Sequence, residues 1–451
     1  TRMTLPRLLL SLLLLLSVIT TSTTISAAAD SNSNNNNNNE QSFNEEMVIK
    51  PLVNGKLYTH VQFTTKWSAN FYDQSTFQHY DLFSRSIGDL ITRVGVEEMT
   101  LQFTQGRWNY ADWGNPVRSA PVGVELMTWL RPLDNTDIDA QWRDLTHSLS
   151  GLFCASMQFL YQVPHHTSVP ARSFRPEGQS NIYHQQSTAT SPAILSLSDN
   201  RTTPLQLRYG ILPRESVCTE NLTPWVKLLP CREQAGLGRL LNPLRLYDVH
   251  YHSMSITVRK TCDSDQGTCV NPTLEIIQSI SVVHDVRQKD PLIDQSKPKD
   301  KVDVDIEQLF GVKGGLSACP LASSSKIYVV NKPYEQNNQL VLTPKPSLAT
   351  DGFLIYDLIA DYSAKSSLKL QLQWSRFTKN PTPAPITAHS HLTGYGQERG
   401  GIAIQIYNNH NLPINITYFQ AIPWYLRVYF HTFKFNINNE RKFEDQGSIN
   451  Q

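Results

Sequence analysis

Regular alternation of apolar and polar residues is the main pattern along this chain. Apolar side chains recur two or four residues apart in four segments: Leu57 to Trp67, Met99 to Phe103, Met254 to Val258, and Leu368 to Trp374. A period of two is typical of half-buried β-strands. Further strands are predicted at residues 402–407, 414–419 and 425–437. The pattern therefore predicts a strand-rich fold.

Helical periodicity is strong in only two segments. Apolar residues recur at intervals of three and four from Tyr80 to Val94, and again from Trp142 to Phe153. Such spacing is typical of amphipathic helices that pack one face on a core. Because both segments lie in the first part of the chain, we predict a mainly β protein with some α structure. It would have an α+β N-terminal part and a β-sandwich-like remainder.

Composition divides the chain into seven predicted regions. Arg2 and Arg7 precede an apolar run and a small-residue cleavage site, so residues 1–29 are predicted to be a secretory signal peptide. Residues 30–56 contain a run of asparagines and are predicted to be a disordered leader. The other predicted regions are an α+β luminal subdomain at 57–175, a polar loop insertion at 176–204, a β-rich luminal region at 205–286, a charged loop at 287–318 and a β-sandwich-like luminal region at 319–451.

Charge excludes one class of partner. The chain has 451 residues with 40 Lys and Arg against 39 Asp and Glu, which gives a formal net charge of +1. Proteins that bind DNA or RNA usually carry a concentrated positive charge. The sequence has no compact basic block, so we expect no nucleic-acid partner.

The sequence contains no recognised catalytic or cofactor motif. His-Glu-x-x-His, Gly-x-Ser-x-Gly and a phosphate loop ending in Gly-Lys-Ser/Thr are all absent. His250 and His252, like His389 and His391, are two residues apart and could chelate a metal from one face of a strand. Because the sequence places no third ligand, we interpret all four as solvent-facing and predict neither a metal nor a cofactor.

A cysteine and a histidine share the second predicted helix. His147 lies seven residues before Cys154, which is about 10 Å along an α-helix and too far for direct proton transfer. We therefore interpret Cys154 as a buried structural cysteine. No catalytic residue is predicted.

The other five cysteines suggest disulfides, since thiols in an oxidising compartment tend to be paired. Cys262 and Cys269 flank a glycine and are predicted to form a hairpin disulfide. Cys231 with Cys319 is the second predicted pair. Cys218 is then left over, which suggests a bond to another protein. Pairing of Cys218 with Cys231 fits the spacing equally well.

Three sequons indicate possible N-glycosylation. They begin at Asn200, Asn221 and Asn415. The second is doubtful because Pro224 follows it directly. Glycosylation at the other two would suit a secreted or luminal chain.

The most specific signal surrounds Cys218. Residues 212–231 contain Leu-Pro-Arg-Glu, then Val-Cys-Thr-Glu-Asn-Leu-Thr-Pro-Trp, then Leu-Leu-Pro-Cys. In these motifs the chain resembles the PIG-T family, luminal subunits of the glycosylphosphatidylinositol (GPI) transamidase. The resemblance extends over nearly all of the chain from Leu57 to Phe435. Its other motifs lie at residues 103–106, 113–114, 150–156, 319–323, 356–358, 394–396 and 423–427.

This resemblance implies a noncatalytic subunit of an endoplasmic-reticulum membrane complex. In that complex a separate caspase-like subunit cuts a C-terminal signal from a precursor protein and transfers the new carbonyl to the GPI ethanolamine. Family members bond to the catalytic subunit through a cysteine in the Val-Cys-Thr-Glu-Asn-Leu motif, and Cys218 is the matching position. The family also has a C-terminal transmembrane helix, before which this chain is expected to be truncated.

Two other classes of protein fit the residues taken alone. One is a secreted β-sandwich adhesion or lectin-like protein, in which Cys218 would pair internally. The other is a luminal cysteine hydrolase that uses Cys154 or Cys218, for which the sequence offers only the distant His147.

Overall fold

The computed structural model describes residues 41–436 apart from several gaps. The gaps are 69–81, 135, 162–165, 170–204, 262–272, 287–300, 332–339, 351, 363–365, 376, 378–383, 395–399, 411, 421 and 423–425. Within the described part, one large mixed sheet forms the centre of the fold. Helices and short loops pack against it.

In chain order, the strands are β1 (Gln41–Pro51), β2 (Lys56–Trp67), β3 (Val96–Gln105), β4 (Gly123–Leu130), β5 (His166–Val169), β6 (Gln206–Leu212), β7 (Tyr251–Thr261), β8 (Thr273–Asp285), β9 (Lys301–Asp305), β10 (Ser324–Val330), β11 (Val341–Thr343), β12 (Leu348–Thr350), β13 (Phe353–Asp357), β14 (Gln371–Ser375), β15 (Ile386–Thr393) and β16 (Gly401–Asn408). Eleven of them form the central sheet in the order β12-β13-β10-β1-β2-β8-β7-β3-β4-β6-β5. β1 pairs with β10 in parallel, whereas β1 with β2 and β10 with β13 pair antiparallel. β11, β14 and β9 form a smaller sheet, and β15 pairs with β16.

The helices cover this framework and lie mainly in the first two thirds of the chain. They are α1 (Arg85–Val94), α2 (Tyr110–Trp113), α3 (Ile138–Phe153), α4 (Thr219–Lys227), α5 (Pro243–Leu246) and α6 (Ile306–Phe310). Short 3₁₀ helices occur at Val53–Gly55, Met157–Tyr161, Gly236–Leu240 and Phe430–Thr432. α1 ends at Gly95, whose φ of 77° is left-handed, and a Cβ there would lie 2.9 Å from the carbonyl oxygen of Arg131. Glycine is therefore required at this helix end.

The predicted fold class, mainly β with some α, is confirmed. α1 and α3 coincide with the two segments of helical periodicity, and β2, β3, β7, β14 and β16 coincide with predicted strands. Strands from the regions predicted at 57–175, 205–286 and 319–451 all join the central sheet. One extensive core therefore underlies these three parts of the chain.

The predicted disordered leader at 30–56 is wrong for its second half. Gln41–Pro51 forms β1, which lies between β10 and β2 in the sheet. Its inward-facing Phe43, Met47 and Ile49 are buried. The apolar pattern here is short, is blurred by Val48 between Met47 and Ile49, and lies close to the asparagine run, whose composition favours disorder.

Two further local predictions are also wrong. Within the predicted charged loop at 287–318, residues 301–305 form β9 and residues 306–310 form α6, because Val302, Val304 and Phe310 reach the core. Toward the C-terminus, the described residues of 414–419 and 425–437 form no strand. Their apolar and aromatic side chains favour extended structure, but a strand also needs a neighbour to take its backbone hydrogen bonds.

Candidate functional site

Cys218 lies where the chain leaves β6 and begins α4. It occupies the N-cap position of α4 with an extended backbone, φ −142° and ψ 179°. Its backbone N–H donates to Oδ1 of Asn221 at 2.9 Å. This side-chain bond back to the N-cap N–H is half of a capping box, with asparagine in the place usually taken by Glu or Gln. The start of α4, and with it the position of Cys218, is thereby fixed by the local sequence.

Asn221 also connects Cys218 with the end of α3. Its side chain is 1% exposed, and Nδ2 donates to the carbonyl oxygens of Phe153 at 2.8 Å and Cys154 at 3.3 Å. The amide thus uses its oxygen toward Cys218 and its nitrogen toward the other chain segment. A buried amide engaged on both sides is not available for a glycan, so we expect the doubtful sequon at Asn221 to be unmodified.

Tyr247 holds Cys218 through its backbone carbonyl group. Its hydroxyl donates to the carbonyl oxygen of Cys218 at 2.6 Å. Burial raises the pKa of Tyr247, so the phenol stays protonated and keeps its donor. Its ring packs on His252 with centroids 4.7 Å apart. Burial also lowers the pKa of His252 to about 4, so that neighbouring imidazole is neutral at physiological pH.

α4 itself is anchored on the central sheet through Trp225. This indole is fully buried and meets Phe63 edge-on, with ring centroids 6.3 Å apart. Its Nε1 donates to the carbonyl oxygen of Ser255 at 2.9 Å, and Gln278 Nε2 donates to the Trp225 carbonyl oxygen at 2.8 Å. Cys218 is therefore carried by a short helix that is bonded to both central strands, β7 and β8.

The two described thiols that form no disulfide are Cys154 and Cys218. Cys218 is partly exposed, whereas Cys154 is exposed and has a left-handed backbone with φ of 51°. The interpretation of Cys154 as a buried structural cysteine is therefore wrong. The preceding Phe153 fills the core position, and the chain turns at Cys154 so that its side chain faces outward.

Cys231 and Cys319 form a disulfide in the structure, with Cα atoms 6.1 Å apart. That separation is typical of a disulfide. Since Cys231 is bonded to Cys319, it is not the partner of Cys218. The bond joins the segment after α4 to the segment before β10.

A buried carboxyl, Glu45 of β1, lies beside this disulfide. It is 0% exposed and accepts hydrogen bonds from the backbone N–H of Leu237 at 3.1 Å and of Cys319 at 3.0 Å, and from the hydroxyl of Ser325 at 3.0 Å. Burial raises the pKa of Glu45 to about 7, although these three donors favour its charged form. Glu45 thus links β1 to Cys319 and to Leu237, in the segment that follows Cys231.

Several predicted site residues fall outside the described part of the chain. Cys262 and Cys269 fall in the sequence between Thr261, the last residue of β7, and Thr273, the first residue of β8. Their bond stays a prediction. Asn200 also lies outside the described residues. Asn415 is described and exposed, and its glycosylation stays a prediction.

The histidine pairs are not arranged as metal ligands. His250 lies just before β7, with Nε2 3.2 Å from Oδ2 of Asp285, whereas His252 is fully buried. The expectation that His252 faces solvent is therefore wrong. Among the described residues, no group of three or more His, Cys, Asp or Glu side chains could hold a metal ion.

Membrane-spanning helices are likewise not found in the described ranges. No helix there is both long enough and apolar enough to cross a bilayer.

Sequence reasoning identifies Cys218 but misses the groups that hold it. Asn221 stands three residues after Cys218, the capping-box spacing, and could have been identified from that interval. Tyr247 could not have been identified from the sequence, because it lies 29 residues after Cys218 and comes close to it only through the fold of the chain around α5. The contact of Asn221 with the end of α3 is also purely tertiary.

The fold and this site together define the class of the protein. It is a mainly β protein in which a short helix, bonded to one large mixed sheet, presents a partly exposed cysteine. A family model described as "Gpi16 subunit, GPI transamidase component" matches residues 22–451, and the chain belongs to that family. The resemblance seen in the sequence motifs is thereby confirmed.

Curated relatives carry matching names. The GPI-anchor transamidase component PIGT of Homo sapiens is 35% identical over 405 residues, which cover 87% of this chain and 64% of that protein. The GPI transamidase component GPI16 of Saccharomyces cerevisiae is 27% identical over 449 residues, covering 90% of this chain and 69% of that protein. The PIG-T homolog of Schizosaccharomyces pombe is 27% identical over 407 residues, covering 89% and 68% respectively. The chain thus spans less than two thirds of the length of its human relative.

Proposed function

We propose that this chain acts as a noncatalytic luminal subunit of the GPI transamidase in the endoplasmic reticulum. In this proposal a separate caspase-like subunit performs the chemistry on GPI-precursor proteins, and Cys218 bonds to that subunit through a disulfide. Membership of the Gpi16 family and the names of the curated relatives support the assignment to the complex. The other membrane subunits would be further partners.

The observation that carries the proposed disulfide is the contrast between Cys218 and Cys231. Spacing alone allows these two cysteines to bond to each other, but Cys231 is joined to Cys319. Cys218 keeps a free and partly exposed thiol. In an oxidising lumen such a thiol is available to a cysteine of another protein.

The role of this chain in the reaction would be positional. The N–H and the carbonyl of Cys218 both have partners, in Asn221 and Tyr247, so the thiol starts from a fixed backbone. A disulfide from such a point converts a bimolecular contact into an intramolecular one, with an effective concentration on the order of millimolar for a short tether. The catalytic subunit would then stay aligned with its substrate, and this chain would contribute no acid, base or nucleophile.

A non-reducing gel of the full-length protein from microsomes tests the proposed bond. The wild type should give a heavy band that contains the caspase-like subunit and disappears on reduction. Cys218→Ser should abolish this band, whereas Cys154→Ser, the matched change at the other free thiol, should retain it. Transamidation should persist in part in Cys218→Ser, because noncovalent contacts remain. A heavy band of unchanged intensity in Cys218→Ser would refute the assignment.

The same pair of variants tests the hydrolase class. A catalytic Cys154 would make Cys154→Ser inactive in transamidation while assembly stayed intact. The positional role predicts the opposite ranking, with Cys218→Ser the more affected variant.

A further inference from the structure

The loop before α4 is joined to the turn after α3 by more than one contact. Asn221 Nδ2 reaches the carbonyl oxygens of Phe153 and Cys154. Independently, the backbone N–H of Ser156 donates to Oε1 of Glu215 at 2.8 Å. Glu215 stands three residues before Cys218, and Ser156 two residues after Cys154. The two segments are therefore bonded on both sides of their cysteines.

These contacts limit the distance between the two thiol-bearing residues. Because one amide group touches both, the carbonyl oxygen of Cys154 lies within about 9 Å of the backbone nitrogen of Cys218. A protein interface of standard size buries roughly 800 Å² on each partner, equivalent to a disc of about 16 Å radius. A folded protein bonded to Cys218 thus has enough surface to reach the turn at Cys154.

The neighbouring surface carries features that favour a protein partner. Cys154 is exposed. Phe159, whose N–H bonds to the carbonyl oxygen of Ser156 at 3.0 Å, leaves 44% of its surface exposed on the 3₁₀ helix that follows. Aromatic side chains are enriched among the residues that dominate binding energy at interfaces. An exposed aromatic ring and an exposed thiol, five residues apart in the chain, give a partner apolar surface to cover.

We infer that the partner bonded to Cys218 also docks noncovalently on this turn, with Cys154 and Phe159 inside its footprint. This inference rests on the proposed function, because it takes the occupant to be the folded luminal protein whose cysteine bonds to Cys218. It adds a second contact region, at the C-terminal end of α3. The disulfide then locks a complex that this surface has already oriented.

A glycan placed on the turn tests the inference in the full-length protein. Cys154→Asn creates an Asn-Ala-Ser sequon at positions 154–156, and asparagine tolerates the left-handed backbone found there. The matched control adds Ser156→Ala, which keeps the new asparagine but removes the sequon. Endoglycosidase treatment reports occupancy. The glycosylated form should show at least fivefold less reducible heavy band than its unglycosylated control.

A second measurement does not depend on the glycan or on the disulfide. In a Cys218→Ser background, Phe159→Ala should lower co-purification of the caspase-like subunit by about fivefold or more, the effect expected for an interface residue that contributes at least about 1 kcal/mol. Phe353→Ala is the matched control, because Phe353 is 38% exposed on β13, near the other end of the sheet order. Equal co-purification of the two variants overturns the inference.

The outcomes separate the two proposals. A glycosylated turn with an undiminished heavy band overturns the docking surface and leaves the Cys218 bond standing. A wild-type protein with no heavy band refutes the bond, while the Phe159 comparison still decides whether the surface binds the partner.

Discussion

Asn221 should be the residue on which the geometry around Cys218 depends most. Its buried amide satisfies the N–H of Cys218 and the carbonyls of Phe153 and Cys154. Asn221→Ala leaves these groups without that partner, and each buried polar group so orphaned costs about 1–3 kcal/mol. Because water would enter beside the exposed Cys154, we expect a total loss of about 2–4 kcal/mol rather than the full sum.

Asn221→Asp gives a sharper test, since it keeps the size but replaces the donating nitrogen by an oxygen and adds a negative charge. A carboxylate oxygen would then face the carbonyl oxygens of Phe153 and Cys154, so the loss should equal or exceed that of Asn221→Ala. Thr223→Ala is the matched control. It removes the same sequon, and its exposed hydroxyl bonds only within α4, to the carbonyl of Thr219, so the change should stay within about 0.5 kcal/mol.

Two assays measure the effect of these changes. Thermal unfolding of the purified protein should show Tm lower by about 2–5 °C for Asn221→Ala, by at least as much for Asn221→Asp, and nearly unchanged for Thr223→Ala. The alkylation rate of Cys218 should rise in the Asn221 variants, because the loop before α4 loses its fixed backbone. Wild-type stability in Asn221→Asp, or a glycan on Asn221 found by mass spectrometry, would refute the reasoning.

Three further predictions concern the surroundings of this site. Tyr247→Phe should cost about 1 kcal/mol, the usual contribution of one hydrogen bond, and should speed alkylation of Cys218, whose carbonyl loses the Tyr247 hydroxyl and keeps the N–H of Asn221. Because the native pKa of Glu45, about 7, exceeds its ordinary 4.5, the folded state binds this proton more tightly, so stability should fall as pH rises through that window. Glu45→Gln should flatten this slope in unfolding scans between about pH 5 and pH 8. Replacing Cys231 and Cys319 together by serine should cost about 2–5 kcal/mol in denaturant unfolding, since the bond joins residues 88 positions apart in the chain.

The parts of the fold that the sequence predicts are those with local periodicity. Residues 85–94 and 138–153 form helices because each has an apolar face that becomes buried in the core. Strands such as β7 and β14 are predictable for the same reason, from alternation visible in one segment. Local patterns cannot predict pairing, however. β1 lies beside β10, parallel and about 280 residues away in the chain, through contacts such as Met47 opposite Ile327.

The candidate site also has one part that the sequence predicts and another part that it does not. Cys218 stands out by its sequence motif and by having no evident mate. The exposure of Cys154 was not predictable, because it follows from a left-handed turn that sends Phe153 inward and the next side chain outward. Strand propensity misleads at residues 414–419, where isoleucine and tyrosine side chains remain exposed. In both cases the observed structure depends on which side chains become buried, and residue type alone does not show this.

The disulfide and the cap act on opposite ends of one helix, and this arrangement bears on the proposed tether. At its start α4 is held by Asn221 and Tyr247, and shortly after its end Cys231 bonds to Cys319. Between them Trp225 is bonded to the sheet. A force applied at Cys218 by an attached protein would therefore pass into the central sheet instead of unwinding a loose segment. The same thiol on an unsupported loop would retain a partner equally well but would not fix its orientation, which is what the proposed positional role requires.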